Sequence, residues 1–96
     1  MGKPILIGAA VLDRLSRLTR NERGECLLAL HDLHEGFGKP HQHTGLSIRK
    51  LRAKTFECRA TIKLRYLFEN RPECLYVFAL ADHDEVQRML RSGTLT

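Results

Sequence analysis

The sequence predicts an α+β fold in which an N-terminal helical hairpin packs on an antiparallel β-sheet of about four strands, followed by a short C-terminal helix. Two observations predict this class. Apolar residues in the first third recur at helical spacing, whereas apolar and polar residues alternate from Phe56 to Arg65, which is typical of a half-buried strand. Helices followed by a run of strands indicate an α+β domain. With 96 residues, we expect one domain spanning residues 1–96.

The helical hairpin is predicted from an apolar stripe and from helix-end signals. The stripe of the first helix consists of Val11, Leu12, Leu15 and Leu18. Thr19 followed by Glu22 has the form of a capping box, so the second helix is expected to begin at residue 20 or 21. Gly36 and Gly38 are expected to end it, because glycine readily adopts the left-handed conformation of a helix C-cap.

The sheet is predicted from the segments that follow. A loop from Gly38 to Gly45 is expected to lead into a strand at about residues 46–51. Residues 56–69 form either two strands joined near Thr61–Lys63 or one long bent strand, and the alternation fits both. Residues 70–72 supply turn chemistry, and the segment Leu75–Leu80, apolar on both faces, predicts a central strand.

The two ends of the chain carry weaker signals. Asp82 and Glu85 form a second plausible cap, which predicts a final helix ending near Leu90. The residues from Gly93 onward are expected to be frayed. Whether residues 5–7 form a short strand before the first helix is open.

Positive charge is concentrated between Arg49 and Arg65, in a chain whose net charge is +5 with histidine neutral. This stretch contains a single acid, Glu57, and seven basic residues: Arg49, Lys50, Arg52, Lys54, Arg59, Lys63 and Arg65. A strand that packs its apolar face on a core presents a row of cations on the other face, which suits an extended polyanion. The alternatives are a solvated basic surface and, for Glu57 and Arg59, a cross-strand ion-pair set.

Cysteine spacing and segment lengths indicate the compartment. The three cysteines, Cys26, Cys58 and Cys74, form no C-x-x-C pair, which favours reduced thiols over a disulfide framework. No segment has the length of a transmembrane helix or the pattern of a signal peptide. We therefore expect a cytoplasmic protein that does not contact a membrane.

Several short segments together resemble a known family. They are Gly38-Lys39-Pro40-His41, Ile48-Arg49-Lys50-Leu51, Phe56-Glu57-Cys58-Arg59, Leu64-Arg65-Tyr66-Leu67-Phe68 and Val77 to His83. In this order, and over nearly the whole chain, they resemble the RelE/ParE superfamily of small bacterial toxins. RelE-like and YoeB-like members cleave messenger RNA in the ribosomal A site, whereas ParE-like members inhibit DNA gyrase without being nucleases. The resemblance is closer to the RelE-like and YoeB-like members, and it implies a cognate, usually acidic, antitoxin.

The resemblance also implies candidate site residues. Arg65 matches the arginine that stabilises the scissile phosphate, and His83 stands where the nucleases have a catalytic arginine or histidine. His41 and His43 stand where YoeB-like members have an acidic general base. The residues expected to hold the RNA are Arg49, Lys50, Arg52, Lys54, Arg59 and Lys63. The C-terminal tyrosine common in these nucleases is absent, because residues 87 and 88 near its place are glutamine and arginine.

Metal-free RNA cleavage requires a base, an acid and cations that stabilise the developing negative charge. Histidine suits either proton role, since it ionises near neutral pH; Arg65, His83 and one of His41 or His43 are therefore the candidate catalytic residues. His83 read by itself also fits an ordinary surface group. A zinc site at His41-x-His43 matches no strong signature, so we predict no metal and no other cofactor.

The leading interpretation is the toxin of a type II toxin–antitoxin pair that cleaves mRNA in the ribosomal A site as a metal-independent endoribonuclease. Two alternatives stay open: a ParE-like inhibitor of DNA gyrase, and a basic nucleic-acid-binding module without catalysis. The expected partners are mRNA, the ribosome and an acidic antitoxin. A homodimer and a toxin–antitoxin hetero-oligomer are both compatible with the sequence.

Overall fold

The described part of the chain, which comprises residues 2–39 and 45–96 of a computed structural model, contains both helices and strands. In chain order they are β1 (Ile5–Ile7), α1 (Ala9–Ser16), α2 (Arg20–Gly36), β2 (Arg49–Lys50), β3 (Thr55–Arg59), β4 (Leu64–Asn70), β5 (Leu75–Asp82) and α3 (His83–Ser92). The α+β class and the N-terminal helical hairpin are confirmed.

The five strands form one mixed sheet in the order β1-β5-β4-β3-β2. Strands β2 to β5 pair antiparallel, whereas β1 pairs parallel with Leu75–Val77 of β5. The prediction of about four antiparallel strands is therefore corrected to five strands in a mixed sheet. The three residues of β1 are too few to show alternation, and their partner lies some seventy positions along the chain, which is why the sequence left this strand open.

Within the sheet, the structure resolves the remaining alternatives. The strand predicted at residues 46–51 is shorter in the structure and comprises Arg49–Lys50. Residues 56–69 belong to two strands, as one of the two predictions had it, and the turn between them is closed by Thr61. Its Oγ1 accepts hydrogen bonds from the backbone N–H groups of Lys63 and Leu64, at 3.1 and 3.0 Å.

The helical hairpin begins and turns as its end signals predict. Thr19 Oγ1 accepts from the Glu22 N–H at 3.2 Å, and Glu22 Oε1 accepts from the Thr19 N–H at 3.0 Å. This reciprocal capping box satisfies two N–H groups that the helix itself cannot pair. The Arg23 guanidinium donates to the carbonyls of Leu15 and Leu18, at 2.9 and 3.0 Å, and so closes the end of α1 onto α2.

The two faces of the sheet pack differently. The hairpin face, which carries Tyr66 and Phe68, shares one buried core with α1 and α2. The Tyr66 hydroxyl donates to the Cys26 carbonyl of α2 at 2.7 Å. The opposite face carries Leu67 and Ala81, which form a smaller core with Val86 of α3. Because α3 covers only part of this second face, the rest is available for a site.

The chain after α3 returns to the sheet. Gly93 ends the helix at φ 74°, a left-handed conformation that glycine adopts without strain. Leu95 then buries its side chain in the smaller core, and the Thr96 carbonyl accepts from the Lys54 N–H at 2.8 Å. The expectation that residues from Gly93 onward are frayed is wrong. Within residues 2–39 and 45–96, no helix has the length and apolar character needed to cross a membrane.

Candidate nucleic-acid interface

The register of β3, β4 and β5 brings two arginines together on the sheet face that α3 partly covers. Arg59 lies directly opposite Arg65, and Arg65 in turn pairs with Ala81 on its other side. Directly opposed residues of an antiparallel pair have Cβ atoms about 5 Å apart. The register therefore places the two arginines side by side, and alternation puts them on the same sheet face as Leu67.

Neither arginine is neutralised by the described part of the chain. No residue among 2–39 and 45–96 forms a hydrogen bond or ion pair with the side chain of Arg59 or Arg65. Glu25 and Asp32 of α2 border the same groove as Arg59 but do not pair with it. Like charges directly opposite each other destabilise a sheet, so this patch is suited to an anion that the described residues do not supply.

A third arginine on this face is held by a buried carboxylate. Arg49 of β2 lies opposite Glu57 of β3. Glu57 Oε2 accepts from Arg49 Nε at 2.7 Å and lies 2.6 Å from Arg49 Nη2. Glu57 is only 1% exposed, whereas the Arg49 side chain is 66% exposed. We call the surface of Arg49, Arg59 and Arg65 the arginine face.

The alternative of a cross-strand ion-pair set at Glu57 and Arg59 holds for Glu57, whose partner is Arg49, but not for Arg59. Residues two apart on one strand have Cα atoms about 6.6 Å apart and side chains that run side by side. The directly opposed residue of the next strand is closer, and for Glu57 that residue on the β2 side is Arg49. The acid therefore belongs to Arg49, and Arg59 stays unpaired among the described residues.

The start of α3 places His83 at the same end of the sheet as Arg65. Asp82, which pairs with the residue preceding Arg65, is both the last residue of β5 and the N-cap of α3. Asp82 Oδ1 accepts from the Glu85 N–H at 2.8 Å, and Glu85 Oε1 accepts from the Asp82 N–H at 2.9 Å. Both Glu85 oxygens also accept from Arg14 Nη1 of α1, at 3.2 Å. The first turn of α3, with the exposed His83, is thus fixed from two sides.

One stripe of α3 turns toward the sheet. His83, Val86, Gln87 and Leu90 recur at intervals of three and four residues, which places them along one side of a helix. Val86 is buried, and Leu90 packs against the same smaller core. Gln87 is half-buried on this stripe, whereas Arg88 is exposed. Of the two residues near the place of the family tyrosine, Gln87 therefore lies on the His83 side of the helix.

Two of the other predicted RNA-binding cations lie elsewhere. Lys50 is directly opposite Phe56, whose ring packs on the core of the hairpin face, so the register assigns Lys50 to the hairpin side of the sheet. The Arg52 guanidinium donates to the Leu90 carbonyl at 3.4 Å. A cation there also stabilises the negative end of the α3 dipole, which gives Arg52 a structural role.

The remaining two predicted cations are exposed outside the strands. Lys54 lies in the β2–β3 connection, and Lys63 lies in the β3–β4 turn. Lys63 is near the start of α2: hydrogen bonds from Thr19 lower the pKa of Glu22, and the charge of Lys63 lowers it a little further. The sequence run from Arg49 to Arg65 is therefore distributed over several surfaces, and only three of its seven cations share the arginine face.

The other candidate ligands and nucleophiles are placed as follows. His41 and His43 lie outside the described residues. Among residues 2–39 and 45–96, no group of three His, Cys, Asp or Glu side chains is arranged to hold a metal ion. Burial raises the pKa of the Cys58 thiol to about 12, with Glu57 raising it further and Arg65 opposing. Cys58 is thus a protonated, unreactive core residue.

A helical hairpin packs on one face of a five-stranded mixed sheet and a terminal helix covers part of the other face, which is a RelE-like fold. The structure matches a chain of the crystal structure of the archaeal RelE–RelB complex from Pyrococcus horikoshii OT3 with a TM-score of 0.67. The match covers 85% of this chain and 96% of that chain, at 16% sequence identity. Neither a protein-family model nor a curated protein matches the sequence. The likeness establishes the fold, and the function is argued from the site.

Proposed function

We propose that the protein is the toxin of a type II toxin–antitoxin pair and acts in the cytoplasm as a metal-independent endoribonuclease on ribosome-bound mRNA. The observation that carries the proposal is the opposed pair Arg59 and Arg65, which no described residue neutralises. Their position at the end of the sheet where α3 begins with His83 adds a proton-transfer group to the anion-binding patch.

Each residue of the patch has a role in this reaction. Arg65, half-buried in the centre of the sheet, stabilises the charge that develops on the scissile phosphate. His83 transfers a proton to or from the reacting oxygens, because an imidazole exchanges protons near neutral pH. Arg49 and Arg59 bind the adjacent phosphates, with Lys54 and Lys63 at the margins. His41 or His43 supplies the second proton-transfer group.

The same charge distribution supports the proposal of an acidic binding partner. An exposed cation patch without a counter-charge favours an acidic binding partner by electrostatic complementarity. The matched fold comes from a RelE–RelB complex, and we propose that this chain likewise binds a cognate acidic antitoxin, which neutralises it.

The test is controlled expression in a bacterium without an antitoxin, followed by growth measurement and transcript mapping. The expected outcome is growth arrest with cleaved transcripts, lost in Arg65→Ala and in His83→Ala. Matched controls remove the same groups from the helical hairpin: Arg17→Ala, since Arg17 is the exposed C-cap of α1 and is bonded to Asp13, and His31→Ala, exposed on α2. Both controls are expected to stay toxic.

Other outcomes assign other functions. Growth arrest with intact transcripts and a DNA-damage response contradicts the nuclease and indicates inhibition of gyrase. Normal growth combined with salt-sensitive RNA binding in vitro indicates a binding module without catalysis. Retention of transcript cleavage in Arg65→Ala removes Arg65 from the catalytic site.

A further inference from the structure

We infer that Glu57 is a positioning residue, which holds the Arg49 guanidinium by one edge so that its other edge binds a phosphate of the RNA. The inference rests on the proposed function only in taking an RNA phosphate as the ligand. It is carried by the geometry of the pair and by the contrast between the burial of its two partners.

The hydrogen bonds of the pair use one edge of the guanidinium. A guanidinium has five N–H donors and two edges that fit a carboxylate or phosphate: Nε with Nη2, and Nη1 with Nη2. Glu57 Oε2 contacts Nε at 2.7 Å and Nη2 at 2.6 Å, which is the first of these edges. No hydrogen bond links Nη1 to any residue among 2–39 and 45–96. The second edge is therefore open on a side chain that is 66% exposed.

The burial of Glu57 favours its ion pair with Arg49 strongly. A carboxylate that is 1% exposed is costly to leave without a partner, because the buried charge loses its hydration. Arg49 therefore stays on Glu57 when a ligand arrives, and the ligand takes the free edge. Arg49 lies on a two-residue edge strand, which by itself gives a long side chain little constraint. The ordering that Glu57 imposes in advance lowers the entropic cost of binding.

The inference predicts a decrease in RNA affinity for Glu57→Gln, whereas the change in net charge alone predicts an increase. Replacing an acid on a cationic face should strengthen polyanion binding if the acid acts only through its charge. If Glu57 positions Arg49, then Glu57→Gln weakens binding although the net charge rises. The matched control is Glu69→Gln, because Glu69 is also a strand acid bonded to an arginine, Arg71, at 3.0 Å. That control should bind RNA as tightly as the wild type or more tightly.

The experiment measures binding of a fluorescent single-stranded RNA, 2′-O-methylated so that it resists cleavage, by anisotropy over a range of salt concentrations. Glu57→Gln and Arg49→Lys are each expected to lose roughly tenfold in affinity. Their plots of log affinity against log salt are expected to be less steep by about 0.7, the value of one phosphate contact on a single strand. Arg49→Lys keeps the charge and lacks the second edge. The double variant Arg49→Gln with Glu57→Gln keeps the net charge and should match Arg49→Lys.

Thermal melting of each variant separates binding from folding. If Glu57→Gln does not fold, Arg49→Lys decides the question alone, because Arg49 is exposed on an edge strand. Wild-type affinity in Arg49→Lys, tighter binding in Glu57→Gln, or no RNA binding by the wild type overturns the inference. The assay needs no cleavage, so a wild type that binds in the expected pattern but leaves transcripts intact refutes the nuclease and not the role of Glu57.

Discussion

The hairpin face and the arginine face of the same sheet differ in the burial of their side chains and in whether polar groups have partners. On the hairpin face, Tyr66 and Phe68 are fully buried, and the Tyr66 hydroxyl has a carbonyl partner at 2.7 Å. On the arginine face, Arg59 and Arg65 oppose each other without a partner among the described residues. The larger core thus lies on the hairpin face, whereas the arginine face keeps a repulsion between two cations that a bound anion would relieve.

The largest expected effect is a loss of packing on the hairpin face. Phe68→Ala removes a buried ring that stacks on Phe56 at 5.6 Å and meets Phe37 edge-on at 5.7 Å. We expect the free energy of unfolding, measured with urea, to fall by about 3–5 kcal/mol. The control is Ile62→Ala, because Ile62 is 91% exposed and its truncation should change stability by less than about 0.5 kcal/mol. Similar values for the two variants would contradict the contrast between the faces.

An intermediate effect comes from pH. Burial raises the pKa of Cys58 from 9.0 to about 12, and it also raises the pKa values of Cys26 and Tyr66. A raised folded-state pKa stabilises the protein below the unfolded value, and this stability is lost as pH rises from about 9 toward 12, since only the unfolded thiol ionises there. For Cys58 alone the loss is about 1.4 kcal/mol at pH 10.

Urea unfolding of the wild type and of Cys58→Ala at pH 8 and pH 10 checks this expectation. The variant should lose less stability between the two pH values, by about 1.4 kcal/mol, and the remainder belongs to Cys26 and Tyr66. An identical loss in both proteins would show that Cys58 ionises as readily in the folded state as in the unfolded chain.

The smallest expected change in stability has the opposite sign. Arg59→Gln removes one of the two opposed charges, so the free energy of unfolding should rise by up to about 1 kcal/mol. In the same variant, the plot of log RNA affinity against log salt concentration should be less steep by about 0.7. Arg17→Gln is the matched control, because Arg17, the C-cap of α1, bonds Asp13 of that helix at 2.7 Å. It should lose about 0.3–0.5 kcal/mol and leave RNA binding unchanged. A loss of stability in Arg59→Gln would mean that the arginine face is structural.

Local signals in the sequence predicted the helix starts well, whereas the predicted glycine C-cap of α2 is replaced by Phe37 in an extended conformation. Both capping boxes, Thr19 with Glu22 and Asp82 with Glu85, form the reciprocal hydrogen bonds that their spacing predicted. Such signals act over three residues, so the sequence contains all of their partners. The alternation after Phe56 likewise placed the apolar faces of β3 and β4 correctly, because side-chain direction in a strand follows from parity.

Which residues share the arginine face depends on the register between strands. The alternation of side chains along one strand does not determine that register. Glu57 was grouped with Arg59 as a cross-strand ion-pair set, but only the register of β2 identifies the partner of Glu57, which is Arg49. Lys50 looked equivalent to Arg49, yet a shift of one residue in a strand turns the side chain to the other face. Leu95 was missed because a single apolar residue after a helix has no periodicity. The role of His83 stays a prediction.

The junction between β5 and α3 contains no loop, since Asp82 belongs to the strand and caps the helix. Each residue of an α-helix turns the chain by about 100°, so one residue inserted at this junction would rotate the His83 stripe away from the sheet. It would also separate the capping acid from its partner. We therefore expect the junction to accept almost no change of length in evolution.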